Sequence, residues 1–203
     1  MKTLRLAGIF LLAAMLILSF GCSSKKVVSR VDTGETIDLS GNWNDTDSRL
    51  VAEEMIADAL AKPWLMNFVR YKGKNPAVIV GAIRNLTDEH IATGTFVGDI
   101  ARAFINSGNV RVVAQPEERE GVREERADQQ ANASPETVKQ FGMELGADYM
   151  LIGEMNKITD QEGRERVAFY QVDLTLTDLQ SNEKVWMQTK KLKKYIARKP
   201  YKP

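Results

Sequence analysis

The chain has 203 residues, 28 Lys+Arg against 27 Asp+Glu, one Cys and one His. A formal net charge of +1 argues against a nucleic-acid binder working by bulk positive charge. With 43% hydrophobic residues the chain can bury a core, and its Cys and His counts argue against a disulfide framework, a Cys/His metal cluster or a Cys–His dyad.

Lys2 and Arg5 form a positive start, and Leu6 to Phe20 is apolar except for Gly8 and Ser19. That run is shorter than the roughly 20 residues of a membrane span and fits a secretory leader over residues 1–21. Its removal leaves about 180 residues with a side-chain charge near −1, which is the size of one domain. The sequence Leu18-Ser19-Phe20-Gly21-Cys22-Ser23 resembles a bacterial lipobox. A small residue lets a peptidase approach, and the Cys22 thiol supplies the thioether to diacylglycerol. The only cysteine of the chain stands where a lipobox needs one, so Cys22 is the expected lipidation site. Several acyl chains at about 0.8 kcal/mol per buried CH₂ hold a protein firmly on a bilayer. By resemblance to proteobacterial lipoproteins, Ser23 after the cysteine implies the outer membrane.

Residues 22–45 are polar and aperiodic and read as a tether, with Trp43 marking its docking point on a domain over 46–203. A first helix is expected near Asp47, capped by Thr46 or Asp47, with Val51, Ala52, Met55, Ile56, Ala59 and Leu60 inward. Pro63 opens a second helix with Trp64, Leu65 and Phe68 inward. Ala77 to Ile83 reads as a strand buried on both faces. Thr87-Asp88-Glu89 is expected to cap a helix whose stripe is Phe96 or Val97, Ile100 and Phe104, ended at Ser107-Gly108-Asn109. Val110 to Ala114 completes a βαβ unit.

Residues 116–133 are a charged helix or loop. Ser134-Pro135-Glu136 predicts another helix, with Val138, Phe141 and Leu145 buried and Gly146 as C-cap. Three strands follow, over 149–158, 167–178 and 185–196, the second alternating Ala168, Tyr170, Val172, Leu174 and Leu176 with polar residues. The tail over 198–203 is basic. The fold class is α/β, one domain with a mixed sheet of four to five strands flanked by helices.

No phosphate loop, dinucleotide motif or nucleophile elbow is present. His90 stands alone, and the adjacent pairs Glu53-Glu54, Glu117-Glu118 and Glu124-Glu125 point to different sides of a helix. No catalytic residue, metal ligand or cofactor is expected. Two basic features remain as candidate partner-binding residues. Arg119, Arg123 and Arg126 align at i, i+4 and i+7, and Lys191 and Lys193 lie in a lysine-rich last strand. Self-pairing on a solvated helix and protection of a sheet edge account for the same residues without a partner.

The ordered set Gly41-Asn42-Trp43-Asn44-Asp45-Thr46-Asp47-Ser48-Arg49, Pro63-Trp64, Ile83-Arg84-Asn85-Leu86-Thr87-Asp88-Glu89-His90-Ile91, Arg119-Glu120 through Gln129-Gln130, Gly146-Ala147-Asp148-Tyr149 with Gly153, and Lys184-Val185-Trp186 resembles penicillin-binding-protein activators of the LpoB type. The resemblance implies a fold similar to the N-terminal domain of TolB and a monomeric, non-catalytic outer-membrane lipoprotein. Such a protein faces the periplasm and activates a class A penicillin-binding protein by contact. The competing expectation is a structural lipoprotein of another envelope complex, with a TolB-like or curli-secretion-like domain.

Overall fold

Ala77-Val78-Ile79-Val80-Gly81 is a β-branched apolar run, and all five residues are buried in strand β1, Ala77–Asn85. The computed structural model describes residues 27–137, 139 and 144–197. The leader, Cys22, Val138, Phe141 and the tail from 198 lie outside the described residues. The chain divides into two units, 1–35 and 36–203. The described part of the first, residues 27–35, is exposed and holds one turn, where Gly34 N donates to Asp32 Oδ1 at 2.7 Å.

In the second unit, β1 is followed by helix α3, Thr93–Ser107, and by strand β2, Arg111–Val112, parallel to β1. This is the expected βαβ unit. β2 has only two residues because the Gln115 side chain donates to Val80 O at 2.8 Å, taking the place of the next strand residue. Strands β3, Tyr149–Glu162, β4, Glu165–Asp178, and β5, Lys184–Ala197, complete a mixed sheet in the order β2-β1-β3-β4-β5. The α/β expectation and the strand number hold. β3 and β4 run further than the hydropathy pattern predicts and meet at a two-residue turn, where Gly163 adopts φ 57°. Cross-strand pairing carries the polar residues 159–162 and 165–166, which show no apolar alternation of their own.

Helix α1, Asp45–Leu60, and α3 cover the inner face of the sheet. Val51, Met55 and Ile56 from α1 meet Phe96, Ile100 and Phe104 from α3. Leu151, Met155, Val172, Leu174 and Leu176 complete the core from the sheet. The predicted stripe of α3 is thereby confirmed, with Phe96 buried and Val97 at its edge. Gly108 ends α3 in the left-handed region at φ 67°. Gly98, within α3, has open space where a Cβ would go. Gly98→Ala is expected to raise stability by about 0.5–1 kcal/mol, read as a higher denaturation midpoint.

Three local expectations are corrected. α1 starts at Asp45, two residues early, because Asn44 is the N-cap; Asp47 N donates to Asn44 Oδ1 and Asn44 N to Asp47 Oδ2, both at 3.0 Å. Thr87-Asp88-Glu89 does not open a helix. Asn85 Nδ2 donates to Glu89 O at 2.7 Å and Glu89 N to Thr87 Oγ1 at 3.1 Å, so side chains close a turn there and α3 begins later, at Thr93. Ser134 to Thr137 is a turn, Leu145 is exposed and Gly146 caps no helix; residues 144–147 carry no regular structure. The charged segment is a true helix, α4, Pro116–Asn132, with none of its residues buried. Helix α2, Pro63–Lys72, turns Trp64 and Phe68 inward against Tyr149, with ring centroids 5.0 and 5.6 Å apart.

Candidate partner-binding surface

β5 carries five lysines and no acid over Lys184–Ala197. A strand sends alternate side chains to opposite faces, and the alternation sorts these lysines. Lys190 and Lys194 face inward and are neutralised. Lys190 pairs with Glu54 of α1, and Lys194 Nζ lies 2.7 Å from Asp38 Oδ1 and 2.6 Å from Asp47 Oδ2. Burial disfavours the Lys194 ammonium, but the hydrogen bonds to Asp38 and Asp47 outweigh it, and its pKa is raised. Lys191 and Lys193 face the other way, exposed, and form no ion pair among the described residues. Met187 and Tyr195, 62% and 64% exposed, flank them along the strand. Across the sheet, Lys191 sits opposite Gln171 and Lys193 opposite Phe169. This strip is a cationic and apolar ledge on an edge strand.

The arginines of α4 behave differently. Arg123 grips Glu144 with two bonds, Nε to Oε1 at 2.9 Å and Nη2 to Oε2 at 3.0 Å, and Arg126 Nη1 adds a third at 3.1 Å. Glu144 is held below the usual carboxylate range by the Arg123 hydrogen bonds, and Arg123 is raised in turn. Arg119 is half-buried and has no ion pair among the described residues. The structure therefore does not bring the two predicted basic features together. β5 is one edge of the sheet, whereas α4 follows β2 at the other.

One cluster escaped the sequence reasoning. Glu89 Oε2 accepts from Trp43 N at 3.1 Å and Oε1 from Tyr170 Oη at 2.7 Å, while Lys157 Nζ stands 2.9 Å from Oε1 and 2.8 Å from Asp88 Oδ1. The Lys157 side chain is 3% exposed. Burial pushes the Glu89 carboxyl up, but Lys157, Tyr170 and the Trp43 amide together hold it below its ordinary value. Burial and the Glu89 carboxylate drive the Tyr170 phenol well above its normal range. The Trp43 ring packs edge-on against Phe96 and Tyr170, with centroids 6.0 and 5.6 Å away, and its Nε1 donates to Ser48 Oγ at 2.8 Å. Arg166 Nη2 donates to Ser40 O at 3.0 Å, and Lys194 Nζ to Asn42 O at 3.1 Å. These contacts strap residues 38–43 to the sheet. The signal in the sequence is an acid pair in a polar turn, Asp88-Glu89, but the three partners of Glu89 lie 46, 68 and 81 residues away.

Among the described residues no group of His, Cys, Asp and Glu could hold a metal ion, and no helix is long and apolar enough to cross a membrane. The E. coli LpoB structure is 14% identical, covers 89% of this chain and 85% of its own, with a TM-score of 0.41. The LpoB C-terminal domain from Salmonella enterica is 17% identical over 64% of this chain and 93% of its own, with a TM-score of 0.35. Lipoprotein GNA1162 from Neisseria meningitidis is 18% identical over 59% of this chain and 83% of its own, with a TM-score of 0.38. No curated protein matches the chain. The family model described as peptidoglycan-synthase activator LpoB matches residues 47–192, which run from the first turn of α1 through β4 and into β5 as far as Leu192, and the chain belongs to that family.

Proposed function

We propose that this protein is a non-catalytic, lipid-anchored activator of a class A penicillin-binding protein, acting at the periplasmic face of the outer membrane. The observation that carries this is the match of residues 47–192 to the family of peptidoglycan-synthase activators. The sequence around Cys22 supports the anchor. Activation by contact works as a population shift: the activator binds the active synthase conformation better and moves the equilibrium by that difference alone. Lys191 and Lys193 are the proposed contact residues, because their charges are uncommitted. Arg119, Arg123 and Arg126 are a weaker second choice, since Glu144 engages two of them.

The test is a titration of the purified protein against the organism's class A penicillin-binding proteins, with binding and glycan polymerisation read on the same samples. Saturable binding with a faster rate establishes the activator; no binding to any of them shifts the weight to an envelope-assembly role. Lys191→Glu with Lys193→Glu is expected to weaken binding by about tenfold or more and leave the thermal midpoint within about 2 °C, since both side chains are exposed. An unchanged Kd removes the ledge from the interface. Cys22→Ala is expected to release a folded protein from the membrane fraction into the soluble periplasm; retention in the outer-membrane fraction would overturn the lipid anchor.

A further inference from the structure

α2 touches the sheet through Trp64 and Phe68, and beside that contact a groove of about 840 Å³ opens between α2 and the β4–β5 turn. This lies within the range of small-ligand sites, roughly 300–1,000 Å³. Its floor is aromatic: Trp64, Phe68 and Tyr149, each less than 9% exposed. Three carboxylates border it, Asp148, Asp178 and Glu183. Asp148 Oδ2 is occupied by Ala77 N at 2.7 Å, and Asp178 Oδ1 by Gln180 N and Ser181 N at 2.8 Å; the Ser181 side chain and the Lys72 charge also act on the Asp178 carboxylate and hold its pKa down. Glu183 has no side-chain partner among the described residues and is exposed. Lys72 and Lys184 stand at the exposed rim, and neither forms an ion pair among the described residues.

Tyr149 is a second and independent observation. It is 94% buried and lines the groove, and its hydroxyl, which is not sealed from solvent, has no hydrogen-bond partner among the described residues. Burial, with Asp178, Asp148 and Glu183 adding their charges, raises the phenol's pKa, so it remains a neutral donor and acceptor facing three anions.

These groups ask for a ligand with a cationic head and an apolar stem. A small amine would leave the aromatic floor uncovered. An anion would meet more negative than positive charge, and a purely apolar group would desolvate the carboxylates without pairing them. A long aliphatic chain ending in an ammonium satisfies both layers, because its methylenes cover rings while its head stays with the acids. We propose that this groove receives the side chain of a lysine-type residue from a peptide partner, with its stem on the Trp64–Phe68–Tyr149 floor and its ammonium among Asp148, Asp178 and Glu183. The groove lies at the α2 end of the molecule and its occupancy does not depend on the activator reading.

The experiment is a calorimetric or amide-shift titration of the full chain in detergent at low salt. The probes are the blocked tripeptide acetyl-Gly-Lys-Gly-amide, its Nε-acetyl-lysine form, and H-Ala-Ala-Ala-amide, which carries only an N-terminal ammonium. The expected result is saturable binding of the lysine peptide, weakened about tenfold or more by Nε-acetylation and about fivefold by Tyr149→Phe or Glu183→Gln. Both variants are expected to keep the wild-type melting midpoint, and either one failing to fold leaves the other and the acetylated probe as the test. Equal binding of the acetylated peptide, equal binding of the trialanine amide, or no saturation by the lysine peptide overturns the proposal. Because no synthase is in the cell, failure here leaves the activator reading standing.

Discussion

Glu89→Ala is expected to destabilise the domain by about 3–5 kcal/mol, a loss of roughly 10 °C in thermal midpoint for a unit of this size. The cost comes from what is left behind. Lys157 is almost wholly enclosed and would keep only Asp88, itself solvent-exposed, as counter-charge. The Tyr170 hydroxyl and the Trp43 amide would both lose their acceptor. Glu89→Gln, which keeps an acceptor but not the charge, is expected to fall between wild type and alanine. The comparison also has a pH signature. Glu89 titrates below its unfolded value, so its contribution is fully present above about pH 4.3 and is lost as pH falls through the lower folded value. The gap in unfolding free energy between wild type and Glu89→Gln is therefore expected to be widest near neutrality and to close in acid. A gap that stays constant from pH 7 to pH 3 would show that the charge contributes nothing.

Gly153→Ala is expected to cost about 3 kcal/mol or more and to abolish the folded far- and near-ultraviolet signature if the native margin is small. Gly153 stands in the middle of β3, paired with Ile83 of β1 on one side and Leu174 of β4 on the other. A Cβ there would collide with the backbone oxygen of Asp173 and with the Leu174 side chain. The obstacle is a neighbouring strand rather than the end of a flexible side chain, so relief requires the central strands to separate. Gly81→Ala, on β1, is a milder comparison: its nearest obstacle is the Met150 methyl, at 2.7 Å, which can move aside. Denaturant midpoints ordered Gly98→Ala, wild type, Gly81→Ala and Gly153→Ala from high to low would support this account. A Gly153→Ala variant as stable as Gly81→Ala would count against it.

The difference between what the sequence declares and what it conceals follows from the range of the forces. The stripe Phe96, Ile100, Phe104 and the alternation Ala168 to Leu176 were legible because burial imposes a local period on each element. The start of α1 lies two residues before its expected place because Asn44 and Asp47 are both good caps, and only the reciprocal bonds decide between them. β3 extends beyond its hydropathy pattern at the polar end because an antiparallel partner, not hydropathy, holds residues 159–162. The candidate ledge was half legible. Four lysines in five positions were visible from 190 to 194, but which two are spent on Glu54, Asp38 and Asp47 depends on acids more than a hundred residues earlier. The local pattern around Glu89 suggests only helix capping, whereas its role is set by Trp43, Lys157 and Tyr170, which no local pattern links to it.

The strap over residues 38–43 also shortens the leash. On the proposed attachment through Cys22, a tether running to residue 45 would allow about 80 Å at full extension, but with residues 38–43 held on the sheet the remaining stretch spans at most about 50 Å. The missing 30 Å is held in reserve by Trp43 in its aromatic seat, the Lys194 ammonium and the Arg166 guanidinium. A pull on the anchor would load these contacts one after another, from Asp38 inward, before it reached the cap of α1. On the proposed anchor, this strap would act as slack released only under tension, and a partner farther away than the short leash allows would be reached at the cost of peeling it.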